Sequence, residues 1–187
     1  ALAIGDCVTS LGNVPVDVDA TGIDIAYSCS QKGLGCVPGL APITVSPRAV
    51  AALEARRHPV PSFYLDLLLM RGYWEGAKYH HTASASLLYA LREALGIIAE
   101  EGLEDRFRRI RANHEAFVAG IEAMGLRMLV APARRLPPLN TVLLPEGIAD
   151  GALRQHLLDR RGIEVLGGFG PLAGKVLRIG IMGAGST

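Results

Sequence analysis

Ile23-Asp24-Ile25-Ala26-Tyr27-Ser28-Cys29-Ser30-Gln31-Lys32-Gly33 decides the architecture. Ile23, Ile25 and Tyr27 alternate with Asp24 and Ala26, the pattern of a short buried strand. Small polar residues follow at once, and a lysine stands just beyond the predicted C-terminal end. The opening run Ala1–Ile4 repeats the arrangement, with Asp6 just past its end. Two short strands, each delivering a chemically capable side chain to its C-terminal edge, describe an α/β layer. That edge is where open α/β sheets bind ligands.

Working outward, Ala41–Val45 is a third apolar run, entered through the turn-forming Val37-Pro38-Gly39. A helical piece over 48–57 is closed by Pro59 and Pro61. Leu87, Leu88, Leu91, Leu95 and Ile98 recur at helical spacing, as do Leu103, Phe107, Ile110, Phe117, Val118 and Ile121. Gly102 and Gly125 end the two helices they define. Beyond Gly125 the period changes. Strands are predicted over 126–130, 140–144, 163–166 and 176–181, with a helix over 150–161 capped by Asp150 and stopped by Gly162. The fold class is therefore α/β, passing to a smaller α+β unit. Residues 1–83 are expected to end a large domain, 84–102 to form a connecting helix, and 103–187 to form a small C-terminal domain.

Among the 187 residues, 19 basic side chains face 18 acidic ones, for a net charge of +1. Such a balance gives no reason to expect nucleic acid or an anionic membrane as partner. No apolar run approaches the ~20 residues of a membrane span. Cys7, Cys29 and Cys36 are odd in number and irregular in spacing, which argues against a disulfide framework or a zinc site and for a reducing compartment, the cytoplasm. The start at Ala1-Leu2-Ala3-Ile4, without Met, reads as a strand entered midway, so a piece of a longer chain is expected.

Lys32 and Asp6 are read together. A lysine partly withdrawn from water becomes a nucleophile, and pyridoxal phosphate (PLP) chemistry needs such a lysine with a carboxylate to hold the pyridinium nitrogen. The plainer reading is a surface lysine and a strand-end aspartate. Arg178, on a strand that alternates Val176, Arg178, Gly180 against Leu177, Ile179, Ile181, is either a solvated edge residue or a fork aimed at a carboxylate. Seven glycines around it, from Gly167 to Gly185, leave room for a ligand. In Tyr79-His80-His81-Thr82, adjacent histidines are poor ligands for one metal, and no metal is expected. A phosphate contact or plain packing remains. His114 reads as a hydrogen-bonded core histidine and Trp74 as packing. Gly168–Ala173 fits the letters G-x-G-x-x-A, but a strand follows where dinucleotide binding needs a helix.

Taken together, these motifs resemble the class V PLP-dependent aminotransferases. Asp24–Lys32 with Val37–Pro42 looks like the family's PLP-lysine segment, and Asp6–Gly12 like the segment holding the pyridinium aspartate. Ser62–Asp66 and Tyr79–Thr82 resemble the alanine–glyoxylate / serine–pyruvate branch. Tyr89–Leu95 and Gly167–Gly180 complete a similarity that covers nearly the whole chain. The resemblance implies the C-terminal part of an aspartate-aminotransferase-like fold. Lys32 would form the Schiff base and move the substrate proton, and Asp6 would pair with the pyridinium. Gln31 would contact the phosphate, and Tyr79 and Thr82 the phosphate of the neighbouring subunit in a homodimer. Arg178 would bind the substrate carboxylate. The implied reaction moves an amino group from alanine or serine to a 2-oxo acid such as glyoxylate or pyruvate, in the cytoplasm, or the peroxisome of a eukaryote. The family usually has Gly where Cys29 stands, and a smaller pair where Cys36-Val37 stands. Its ring-stacking aromatic, Gly-rich phosphate loop and final helix have no counterpart in these residues. A non-catalytic fragment or dimerisation module, and a class V PLP lyase, are the competing readings. The lyase would need a mobile catalytic cysteine, and Cys29 and Cys36 flank Lys32 too closely for one.

Overall fold

A computed structural model describes residues 1–186. Strands β1 (Ile4–Asp6) and β2 (Ile25–Tyr27) pair in parallel, and β3 (Ile43–Val45) adds to β2 antiparallel. The first strand begins later than the apolar run 1–4 suggests. Asp24 is the cause: its side chain accepts from Ala3 N (2.8 Å), and Asp24 N and Ile25 N both donate to Ala3 O. Residues 1–3 are thus an approach to the ladder.

Parallel strands need a crossover. Here it includes a single turn, α1 (Val18–Thr21), N-capped by Asp17 and ended by Gly22 at φ 68°. Four residues are too few to show a helical period. Ser46 caps α2 (Pro47–Glu54), accepting from Ala49 N, with Pro47 in its first turn. Asp66 caps α3 (Leu67–Trp74) by accepting from Leu68 N. Its run Leu67-Leu68-Leu69-Met70 has no polar side to define a face, so no helical period marks it in the sequence. Trp74, expected to pack, is exposed, at the rim of a ~260 Å³ cavity between α2, α3 and β3.

Helices α4 (Ala85–Glu101) and α5 (Leu103–Ala123) meet at Gly102, whose φ of 80° suits glycine. A second sheet follows: β4 (Arg127–Met128), β5 (Leu139–Leu143), β6 (Leu166–Gly167) and β7 (Val176–Gly180), in order β4-β5-β7-β6, all antiparallel. Between β5 and β6 runs α6 (Asp150–Arg161). Its N-cap is Ala149; Asp150 lies one residue inside, 3.6 Å from Arg154, so the expected capping role is not taken. Gly162 ends α6 at φ 64°, as read. The strands expected over 126–130 and 163–166 are shorter, two residues each. Gly170–Leu172 forms a 3-10 turn that leads into β7, so no helix follows the G-x-G-x-x-A letters.

The buried face of α5 is Arg106, Ile110, His114, Val118 and Ile121. Leu103, taken as part of its apolar stripe, is exposed instead. The spacing 106, 110, 114, 118 is one helical face, with an arginine and a histidine on it. His114 is satisfied through Asn140 Oδ1 at 2.7 Å, and Asn140 donates to Pro137 O.

Candidate active site

The first sheet carries its chemistry on one edge. Asp6 ends β1 and stands in register with Tyr27, which ends β2. Its side chain is exposed. Val8 N donates to Oδ1 (2.9 Å) and the Tyr27 hydroxyl donates to Oδ2 (3.0 Å). A carboxylate has about four lone-pair positions, so capacity remains for a ligand donor. Losing the Tyr27 proton would break its bond to Asp6, and that bond, with burial next, holds the phenol above its usual pKa. Cys7 N donates to Tyr27 O (2.8 Å), and the buried Ser28 hydroxyl donates to Cys7 O (3.0 Å). The two chain segments therefore leave the sheet tied side by side.

Lys32 lies five residues past β2, in a loop closed on itself. Cys36 N donates to Ser30 O (2.9 Å), the Ser30 hydroxyl to Val37 O (2.6 Å), and Gly35 N to Lys32 O (2.9 Å). Lys32 is half-buried. Among the described residues no ion pair ties up its ammonium. Gln31 is exposed beside it. The next residue has to be glycine: a Cβ on Gly33 would sit 2.0 Å from Leu11 O and 2.5 Å from Asn13 Nδ2. The Lys32–Gly33 peptide is thus laid flush on the turn that follows Asp6, and the structure brings Asp6 and the lysine loop to the same edge.

Arg178 sits in the second sheet, half-buried. Its Nε donates to Gly167 O (2.8 Å), and the guanidinium lies 4.8 Å from the Phe169 ring centroid. Among the described residues neither terminal nitrogen has a hydrogen-bond partner, which leaves both able to grip a carboxylate end-on. After β7 the chain runs back to the first sheet: Gly183 N donates to Asn13 Oδ1 (3.4 Å), and Gly183 Cα packs beside Gly35. Tyr79 and Thr82 are exposed and bonded to each other, hydroxyl to hydroxyl, at 2.8 Å. Among the described residues no hydrogen bond joins them to Asp6 or Lys32. Next to them His80 stacks on Phe63, with ring centroids 4.4 Å apart, and contacts His81 Nδ1 at 2.8 Å.

The family model described as Aminotransferase class-V matches residues 1–178. The chain belongs to this family. The alanine–glyoxylate aminotransferase of Callithrix jacchus is 41% identical over 191 residues, covering all of this class V chain and 46% of the relative. The (S)-ureidoglycine–glyoxylate transaminase of Bacillus subtilis is 40% identical over 202 residues, covering 98% and 49%. Among solved structures, an alanine–glyoxylate aminotransferase from Nostoc sp. superposes with a TM-score of 0.95 at 49% identity, over the whole of this chain and 50% of that one. The class V chain spans about half the length of the relatives it matches. Its fold is that of the PLP aminotransferases.

One group at the site of this class V chain has no signature in its hydrophobic pattern. Arg106, fully buried on α5, donates from Nε to Gly12 O (2.7 Å), from Nη2 to Gly33 O (2.6 Å) and from Nη1 to Glu101 Oε2 (2.9 Å). Arg109 shares Glu101 and reaches the carbonyls of Gly183 and Ser186. The two guanidiniums, Arg109 foremost, hold the Glu101 carboxyl below its ordinary pKa. The signal was present, since Arg106 is in helical register with Ile110 and His114, but an arginine does not enter a hydrophobic count. Among the described residues no helix is long and apolar enough to cross a membrane.

Proposed function

We propose that the protein of which these residues form part is a PLP-dependent transaminase that moves the amino group of a small amino acid, alanine or serine, to a small 2-oxo acid such as glyoxylate or pyruvate. The observation that carries this is the shared sheet edge. Asp6 faces outward from β1 with its carboxylate already oriented by Val8 and Tyr27, and the Lys32 loop is packed against the turn that follows it. A carboxylate with lone pairs to spare and a lysine with no ion-pair partner among the described residues are the two groups that the cofactor's ring nitrogen and aldehyde require. Pyridoxal 5'-phosphate, when bound, supplies the electron sink for bond breaking at the substrate α-carbon.

The roles of this chain's residues follow from what each can do. Lys32 would hold the cofactor through its ε-amine and would move the proton at the substrate α-carbon. Asp6 keeps the ring nitrogen protonated. Gln31 contacts the phosphate. Arg178, with Nε engaged by Gly167 O and its plane against Phe169, offers its two terminal nitrogens to the substrate carboxylate. Tyr79 and Thr82 reach the phosphate of the neighbouring subunit in a homodimer. In this reading residues 1–83 belong to the large cofactor domain, 84–102 to the connecting helix and 103–187 to the small domain. Three free cysteines suit a reducing compartment, the cytoplasm.

The test is Lys32→Ala in the full-length protein. Transamination and the yellow, borohydride-reducible adduct should both vanish. Turnover that survives with a trapped adduct of normal yield would remove Lys32 from the chemistry.

A further inference from the structure

The charged cluster at the α4–α5 junction has no part in the chemistry above, yet its contacts converge on the loops that carry it. Arg106 is fully buried and donates to three acceptors on three different segments. One is the carbonyl of Gly33, the residue after Lys32. Another is the carbonyl of Gly12, six residues beyond Asp6. The third is Glu101, at the end of α4. Among the described residues, neither glycine carbonyl accepts a backbone N–H. Arg106 is therefore what satisfies them, and a buried carbonyl left unpaired is costly.

We propose that Arg106 is a positioning residue for Lys32: its guanidinium clamps the Lys32–Gly33 peptide to the turn following Asp6 and so fixes where the lysine side chain starts relative to that carboxylate. The planar fork suits the task. Its N–H groups point in fixed directions, so three acceptors held at once define an orientation as well as a distance. Glu101 holds the fork from behind. Arg109 grips the same carboxylate and extends the clamp to Gly183 and Ser186, on the chain that runs back from Arg178. The close fit of Gly33 on Leu11 and Asn13 leaves the peptide no alternative seat while the clamp is closed. A shorter or rounder cation satisfies fewer of these acceptors and lets the lysine loop drift. A drift of ~1 Å is enough to slow a positioned reaction by about 100-fold.

This inference rests on the reading of Lys32 given above, and the test separates the two. In the full-length holoenzyme, Arg106→Lys should keep its cofactor but lose about 100-fold in kcat with KM little changed, and the pH titration of the yellow band should be displaced. Glu101→Gln should displace it in the same direction by less. Arg48→Met removes a different buried-acceptor pair, with Asp24, at the opposite end of β2. It should lower the unfolding temperature and leave the titration and kcat as they were. If Arg106→Lys does not fold, Glu101→Gln decides: a titration displaced beyond that of Arg48→Met upholds the clamp, and an undisplaced one overturns it. Arg106→Lys with wild-type kcat and an undisplaced titration, or a displacement no larger than that of Arg48→Met, would make Arg106 a stability residue only. A yellow adduct that persists in Lys32→Ala would instead overturn the assignment of Lys32, and with it the need for a clamp.

Discussion

Asp24 receives donors from Ala3 N, the Ser46 hydroxyl and both Nε and Nη2 of Arg48, and is nearly sealed from water. Arg48 above all, then the Ala3 amide, hold its carboxyl far below the usual value near 3.8. The sign follows from linkage. A carboxyl whose folded pKa is depressed contributes stability that is complete above the ordinary range and is lost as pH falls through the folded value. Asp24→Asn should therefore lower stability at neutral pH and flatten its decline below about pH 4, as read by denaturant melts across pH. An acid limb identical to wild type would show that the Asp24 cluster does not govern it. Asp6→Asn works differently. An amide cannot stabilise a protonated ring nitrogen, so turnover should collapse while the unfolding midpoint hardly moves. Arg178→Lys keeps the charge and loses the fork. Affinity for amino donors and keto acids alike should fall by the equivalent of ~2–5 kcal/mol, with the cofactor spectrum intact. Loss of cofactor with substrate affinity retained would assign Arg178 a structural role.

The elements differ in how openly the sequence announced them. Strands β2 and β3, helices α2, α4, α5 and α6, and the strand holding Arg178 were legible because each has a period, a cap or a glycine stop. The single turn α1 and the uniformly apolar α3 have none of these. Of the candidate site, Asp6, Lys32 and Arg178 were visible as strand-end or strand residues. Their mutual placement was not, since the bonds that set it run from Arg106 and Asn13 across 73 to 170 residues of chain. Hydrophobic patterning found Ile110, Val118 and Ile121 on the buried face of α5 but extended it to the exposed Leu103 and passed over Arg106, a guanidinium whose partners are carbonyls and Glu101. Gly33 gives the element-scale prediction. Gly33→Ala would drive a Cβ into Leu11 O, a backbone atom that cannot swing aside, and should cost ~3 kcal/mol or more of stability. A variant as stable as wild type would mean that the turn after Asp6 yields more readily than its packing suggests.

At the scale of the molecule, Phe63, Tyr64, Leu65, Trp74 and Tyr79 place large apolar surfaces in solvent along one stretch of chain. A cluster of this kind fits a subunit contact. If Tyr79 and Thr82 serve the neighbouring site, two defective full-length proteins should repair each other. Lys32→Ala subunits mixed with Tyr79→Ala/Thr82→Ala subunits would form dimers in which one of the two sites has every residue intact, because a two-fold axis exchanges the contributions. Random mixing should restore activity to about a quarter of the wild-type sites. Silence on mixing, with dimers demonstrably exchanged, would return both residues to their own subunit. The reach of Arg106 also has a consequence in time. Gly33 precedes its partner by 73 residues, and a ribosome adding roughly 5–20 residues per second needs roughly 4–15 s to cover that interval. For those seconds the lysine loop exists with its strands made and its fastener unmade. The part of the chain written early is finished late, and a nascent chain stalled before residue 106 would present chaperones with a loop that nothing yet holds.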